Sequence, residues 1–62
     1  MDKKEFEKEF KKALVNIPFV VVKLRDATFY TDDYFIGEKG VYLFWRGIVI
    51  GNCKIKSILY VF

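Results

Sequence analysis

Two hydrophobic periods divide this chain, and the change-over falls at Pro18. Before it, Phe6, Phe10, Ala13 and Leu14 recur at i, i+4, i+7 and i+8, one stripe of a 3.6-residue helix. Lys3, Lys4, Glu5, Glu7, Lys8, Glu9, Lys11 and Lys12 fill the remaining positions, and Glu5–Lys8 and Glu7–Lys11 stand at attractive spacings. Asp2 is a good N-cap, with Glu5 three residues on at the capping-box spacing. Pro18 disfavours helical geometry at Ile17 and closes the element. The pattern predicts a helix over about 2–15. Its apolar stripe is narrow, and acids nearly balance bases on the polar face. That suits docking onto a β-structure better than lying on a membrane surface.

From Phe19 the period is two. Val20, Val22 and Leu24 point one way, and Phe19, Val21, Lys23 and Arg25 the other, so the first strand has a mixed outer face. Asp26-Ala27 predicts a tight turn. Thr28 to Thr31 is β-prone, Asp32-Asp33 interrupts, and Tyr34 to Ile36 resumes, as a bulge or bend within one long strand would. Gly37-Glu38-Lys39-Gly40 is a hairpin signal. Val41 to Trp45 is a third strand, Arg46-Gly47 turns, Ile48 to Ile50 is short, and Gly51-Asn52 turns again. Cys53 to Phe62 completes the pattern as a last strand with Ile55, Leu59 and Val61 on one face. The fold class expected is α+β, mostly β, in one domain over 1–62. An amphipathic helix precedes five short strands of one strongly curved antiparallel sheet over about 19–62, a small barrel of the SH3-like or Sm-like kind.

Length sharpens this picture. A chain of 62 residues buries a modest share of its surface and usually needs a disulfide, a metal or self-association to reinforce its core. Cys53 is the one cysteine and there is no histidine, so an internal disulfide is excluded and a structural zinc site is not expected. Hydrophobic residues at 53% and aromatics at 19% put the composition well away from disorder and allow a dense core. The formal net charge of +3 is mildly basic, which permits nucleic acid as a partner without requiring it. The first residues are charged and mixed in sign, unlike a secretory leader. No apolar run approaches the roughly 20 residues of a membrane span. With a lone thiol, which fits a reducing compartment, these features predict a cytoplasmic protein with no membrane partner.

Catalytic equipment is sparse. Without histidine neither a Ser-His-Asp nor a Cys-His arrangement can form, and Ser57, the one serine, lies in an apolar stretch. Cys53 has Lys54 beside it but no base or second thiol near in sequence, and reads as a small packing residue. Asp32 and Asp33 would point to opposite faces of a strand, poor geometry for paired acid–base work. No phosphate-cradling glycine loop and no calcium-loop spacing is present. The expectation is a non-enzymatic protein with no cofactor and no metal. A binding signal does exist. Tyr42, Phe44 and Arg46 share one face of the third strand, Lys54 and Lys56 alternate with Ile55 on the last, and Lys23 and Arg25 alternate similarly on the first. Rings that can stack on bases beside cations that can meet phosphates are what single-stranded nucleic acid requires.

The order of one helix and five short strands resembles the Sm-like family, and within it the Hfq-like RNA chaperones. Phe10-Lys11-Lys12-Ala13-Leu14 looks like the end of that family's N-terminal helix, and Val20 to Asp26 resembles its first strand. Val41-Tyr42-Leu43-Phe44 falls where its third strand would, and Lys54-Ile55-Lys56-Ser57-Ile58 is similar in position to its short basic segment. The resemblance implies an oligomer that binds single-stranded RNA. Departures from the pattern are specific. Ala27 stands where the family's turn has glycine, and the second strand lacks its usual glycine near Thr31. Gly40 falls where a uridine-stacking aromatic would sit, and Lys54-Ile55 replaces a Lys-His pair. That uridine site therefore does not carry over, and any RNA contact would use other surfaces.

Two functions of different class follow as expectations. One is an oligomeric Sm-like domain binding single-stranded RNA, with Tyr42, Phe44, Arg46, Lys54 and Lys56 as its contacts. The other is a small protein-interaction or inhibitor module acting through a β-edge or an aromatic face. Mixing of acids with those bases on the folded surface would favour the second. Either way the segment Ile58-Leu59-Tyr60-Val61-Phe62 predicts homo-oligomerisation. It is apolar on both faces and has no charge, Pro or Gly to blunt an open edge.

Overall fold

The Asp2 cap forms as its spacing predicts: in a computed structural model that describes all 62 residues, Asp2 Oδ1 accepts the Glu5 N–H at 2.8 Å. It opens α1 (Lys3–Leu14), which buries Phe6 and Phe10 completely and leaves its lysines in water. Six strands follow: β1 (Val20–Leu24), β2 (Thr28–Thr31), β3 (Asp33–Gly37), β4 (Gly40–Trp45), β5 (Ile48–Cys53) and β6 (Ile58–Val61). They form two antiparallel sheets of three, in the orders β2-β1-β6 and β3-β4-β5. The fold is thus α+β and mostly β. The expected single five-stranded sheet is replaced by two separate ones, and neither closes on itself.

Asp32 is where the chain passes from one sheet to the other. Its N–H donates to Phe44 O at 2.9 Å, and its carboxylate accepts the Arg46 N–H at 3.2 Å. The buried Thr31 hydroxyl lies within hydrogen-bond reach of the carbonyls of both Asp33 and Phe44. The interruption read in the sequence is therefore a pinned corner between β2 and β3.

Two further expectations are overturned. Gly51-Asn52 does not turn; β5 runs straight through it, with Gly51 opposite Leu43 and Asn52 opposite Tyr42. The glycine serves a close approach instead. A Cβ at Gly51 would stand 2.6 Å from the Phe29 ring, so its absence lets β2 pack on β5. Ile50 is the extra residue of a bulge, since Leu43 pairs with Gly51 and Phe44 with Val49. Cys53 to Phe62 is likewise not one strand. Cys53 ends β5, a 3-10 turn spans Ile55–Ser57, and only then does β6 begin. The turn and a register shift beside Leu24 reset the faces. Ile58 and Val61 point inward and Leu59 outward, against the expected Ile55-Leu59-Val61 face.

Hairpins of two residues join β3 to β4 and β4 to β5. Gly40 takes φ +127°, and a Cβ there would collide with Cys53 O at 2.5 Å. Arg46 and Gly47 both have positive φ, 50° and 82°, the signature of a type I′ turn. Between the sheets lies one core of Phe6, Phe10, Val20, Val22, Val41, Leu43, Ile58 and Val61. The helix joins the two halves of that core. It packs on β1 and β6, and its rings meet Tyr34 of β3 edge-on at 5.0 Å (Phe6) and 4.8 Å (Phe10).

Candidate functional site: two outer sheet faces and the β5 and β6 edges

Because Val41 and Leu43 point into the core, Tyr42 and Phe44 point out. They share the outer face of β3-β4-β5 with Phe35, Val49 and Asn52. The Phe35 and Tyr42 rings lie 6.4 Å apart. The two rings expected on one face are thus together, but the cations go elsewhere. Arg46 sits in the hairpin turn, its guanidinium 5.2 Å from the Trp45 ring centroid. Lys54 and Lys56 line a depression of about 300 Å³ at the opposite end of β4, together with Glu38 and Lys39. Six strand residues separate the two ends, roughly 17 Å at strand rise. The five residues expected to bind nucleic acid are thus spread over three places, each with an acid nearby. Asp32 accepts from the Arg46 amide, Asp33 pairs with Phe44 across the strands, and Glu38 flanks the lysines.

The last strand divides as well. Ile58 and Val61 belong to the core, so of the segment expected at an oligomer interface only Leu59, Tyr60 and Phe62 offer exposed side chains. The backbone of β6 pairs with β1 on one side and with no strand on the other. β5 is placed the same way in its own sheet, paired only with β4 and carrying exposed Ile48, Val49 and Ile50, while the other two edge strands, β2 and β3, are joined through the Asp32 corner.

A surface of which sequence reasoning saw the Lys23 and Arg25 cations but not the surrounding rings is the outer face of β2-β1-β6. Val20 and Val22 are buried, which turns Val21 and Lys23 outward. Across the sheet, Tyr30 stands opposite Val21, and the Val21 and Phe62 backbones exchange hydrogen bonds of 2.7 and 2.9 Å on the other side. The next row is Thr28, Lys23 and Tyr60. Phe19 completes the group, its ring 5.8 Å from Tyr30, while Tyr60 and Phe62 lie 5.3 Å apart. Tyr30, Tyr60 and Phe62 are each at least half exposed. Lys23 reaches across to donate to Thr28 Oγ1 at 3.0 Å. No acidic residue stands in these two rows.

Titratable chemistry elsewhere is muted. Burial pushes the half-buried Cys53 thiol above its usual range, the opposite sense to an activated thiolate. Tyr34 is also raised, first by burial and then by Glu7, whose carboxylate accepts its hydroxyl at 3.1 Å. No group of three or more Cys, Asp or Glu side chains gathers closely enough to hold a metal ion. No helix is long and apolar enough to cross a membrane. Compared with protein-family models, curated proteins and solved structures, the chain matches none.

Proposed function

We propose that this chain is a non-enzymatic binding module that works as an assembly of its own copies, joined through the free edges of β5 and β6. The observation that carries the reading is the coincidence of open backbone with apolar side chains. Six of the eleven large hydrophobic residues left exposed lie on or directly after these two strands: Ile48, Val49, Ile50, Leu59, Tyr60 and Phe62. An unpaired strand with apolar flanks is a template for another strand. A 62-residue chain gains from that contact the stabilisation that a disulfide or metal would otherwise supply. β5 of one copy meeting β6 of the next is a head-to-tail contact, which closes into a ring or runs on as a filament according to its rotation.

In this reading the architecture is a small curved barrel on the Sm-like or SH3-like plan, with β2 and β3 as one strand sharply bent at Asp32. The cytoplasm is its compartment. Capture of a different protein at the same edges is the alternative. The acids set among Arg46, Lys54 and Lys56 favour it over nucleic-acid binding at those residues.

Light scattering over a range of concentrations tests the assembly. The wild type is expected to exceed the 7.4 kDa monomer mass. A variant with Ile48→Lys and Leu59→Lys, each exposed and outside the core, should return to that mass with its fold intact. A wild type that stays monomeric at high concentration overturns the proposal.

A further inference from the structure

The outer face of β2-β1-β6 has the composition of a stacking platform, and we infer that it binds single-stranded nucleic acid. This rests on the reading of the chain as a binding module and not on its assembly. Four rings, Phe19, Tyr30, Tyr60 and Phe62, surround Val21 and Lys23 on one side of one sheet. Rings held on a rigid sheet lose little freedom when a base stacks on them, and every base has a face to offer. Lys23 lies in the middle strand, among the rings, where a phosphate between two stacked bases would pass. Its present partner is the neutral Thr28 hydroxyl, so the ammonium charge is not cancelled.

Charge selects this ligand over an apolar protein surface. The strand rows of the face hold a cation and no acid, and the chain as a whole carries +3. Asp32, the acid next along the chain from β2, is held at the corner by the Arg46 amide. The comparable aromatic face of β3-β4-β5 has Asp33 opposite Phe44 and no lysine in its rows, and it would repel a phosphate backbone. Duplex nucleic acid is excluded by the same geometry, since its bases are already stacked on one another and a flat face cannot reach them.

The test is fluorescence anisotropy with a labelled single-stranded oligoribonucleotide of mixed sequence, about 20 nucleotides long. The unlabelled strand and its duplex serve as competitors. Binding is expected at low salt, with the single strand competing and the duplex failing to compete. Because Lys23 is the one cation within the paired rows of the face, the salt dependence should be shallow, a slope of roughly −0.7 for a single phosphate contact. Tyr30→Ala should weaken binding roughly 5- to 100-fold and Tyr30→Phe should preserve it. Phe35→Ala on the other sheet should change nothing.

Tyr30 lies on β2, at the side of the sheet away from the β6 edge, so light scattering on the same variant separates this platform from assembly. Circular dichroism checks each fold. No binding at low salt overturns the inference. So does binding lost on Lys54→Gln and Lys56→Gln but unchanged in Tyr30→Ala. A folded Tyr30→Ala protein whose mass falls to the monomer would show the face to be a contact between copies, which also overturns it.

Discussion

Each sheet feeds the core from alternate residues of its central strand: Val20 and Val22 from β1, Val41 and Leu43 from β4, all fully buried. Each also turns a set of rings outward, and there the likeness ends. Outside β2-β1-β6, Phe19, Tyr30, Tyr60 and Phe62 surround a lysine. Outside β3-β4-β5, Phe35, Tyr42 and Phe44 share the face with Asp33 and Asn52. Aromatic content therefore does not separate the two faces as binding surfaces; the sign of the charge among the rings does. The inner faces are interchangeable in kind because burial asks only for apolar volume. The outer faces are not, because water leaves every charge there effective.

The comparison breaks most completely where one element serves both sheets. Phe6 and Phe10 touch Tyr34 of one sheet and lie in a core shared with Val20 and Val61 of the other. Phe10→Ala should cost about 3–5 kcal/mol, the range for truncating a buried ring. A small domain has about that much stability in total, so the variant should be largely unfolded by circular dichroism at room temperature. A Phe10→Ala chain that melts at the wild-type temperature would show that the sheets hold each other without the helix.

Next in size is the seam between the sheets. Gly51→Ala places a methyl 2.6 Å from the Phe29 ring, and the ring must move. Overpacking of this kind costs about 1–3 kcal/mol. Phe29→Leu in the same chain should recover part of that loss, a coupling that urea denaturation of the double-mutant cycle would read. If the two changes simply add, the seam is looser than the geometry indicates.

A matched pair of surface changes sharpens the contrast between the outer faces. Tyr30 and Phe35 are similarly exposed, at 58% and 60%, and each has one aromatic neighbour. Truncating either to alanine should cost about 1 kcal/mol, mainly the ring–ring contact. A difference in oligonucleotide affinity between the two variants would then report on the faces and not on stability. Equal loss of affinity would erase the distinction drawn between them.

What the sequence disclosed and what it hid follow from the range of the forces involved. The helix was legible because a cap and a stripe are local: Asp2, Glu5, Phe6 and Phe10 lie within three turns. The break at Asp32 was legible as a break, but the passage into a second sheet was not, because it depends on which strand each half finds. Gly51 was misread because glycine marks both turns and close approaches, and only the Phe29 ring, 22 positions earlier, tells them apart. The 3-10 turn at Ile55–Ser57 hid for a different reason. Lys54, Ile55, Lys56 and Ser57 alternate like a strand and contain no breaking residue. Alternation placed Tyr42 and Phe44 together correctly. It could not place Tyr30 beside Val21 and Phe62, since that row is assembled from three strands spread over most of the chain.

The smallest expected effect concerns the one polar tie between the helix and β3. The Tyr34 hydroxyl donates to Glu7 Oε2 at 3.1 Å, while its ring packs on Phe6 and Phe10. Tyr34→Phe keeps the ring and removes the hydrogen bond, which should cost about 0.5–1 kcal/mol near neutral pH. Its clearer signature is in the pH profile. Burial, the bond to Glu7 and the charges of Glu7 and Asp33 all raise the Tyr34 pKa above the usual 10.0, because each disfavours the phenolate. An acid raised on folding contributes stability that is fully present below its unfolded pKa and is lost as pH climbs through the folded value. Cys53 acts in the same sense from its own usual value of 9.0, again through burial. Working in a Cys53→Ala background removes that contribution, and comparison with Tyr34→Phe then isolates the part due to Tyr34. Urea denaturation between pH 8 and 11 should then show a fall in stability that Tyr34→Phe makes shallower. Parallel profiles with and without the hydroxyl would mean that Glu7 does not hold Tyr34 in solution, and that the helix is joined to the second sheet by ring packing alone.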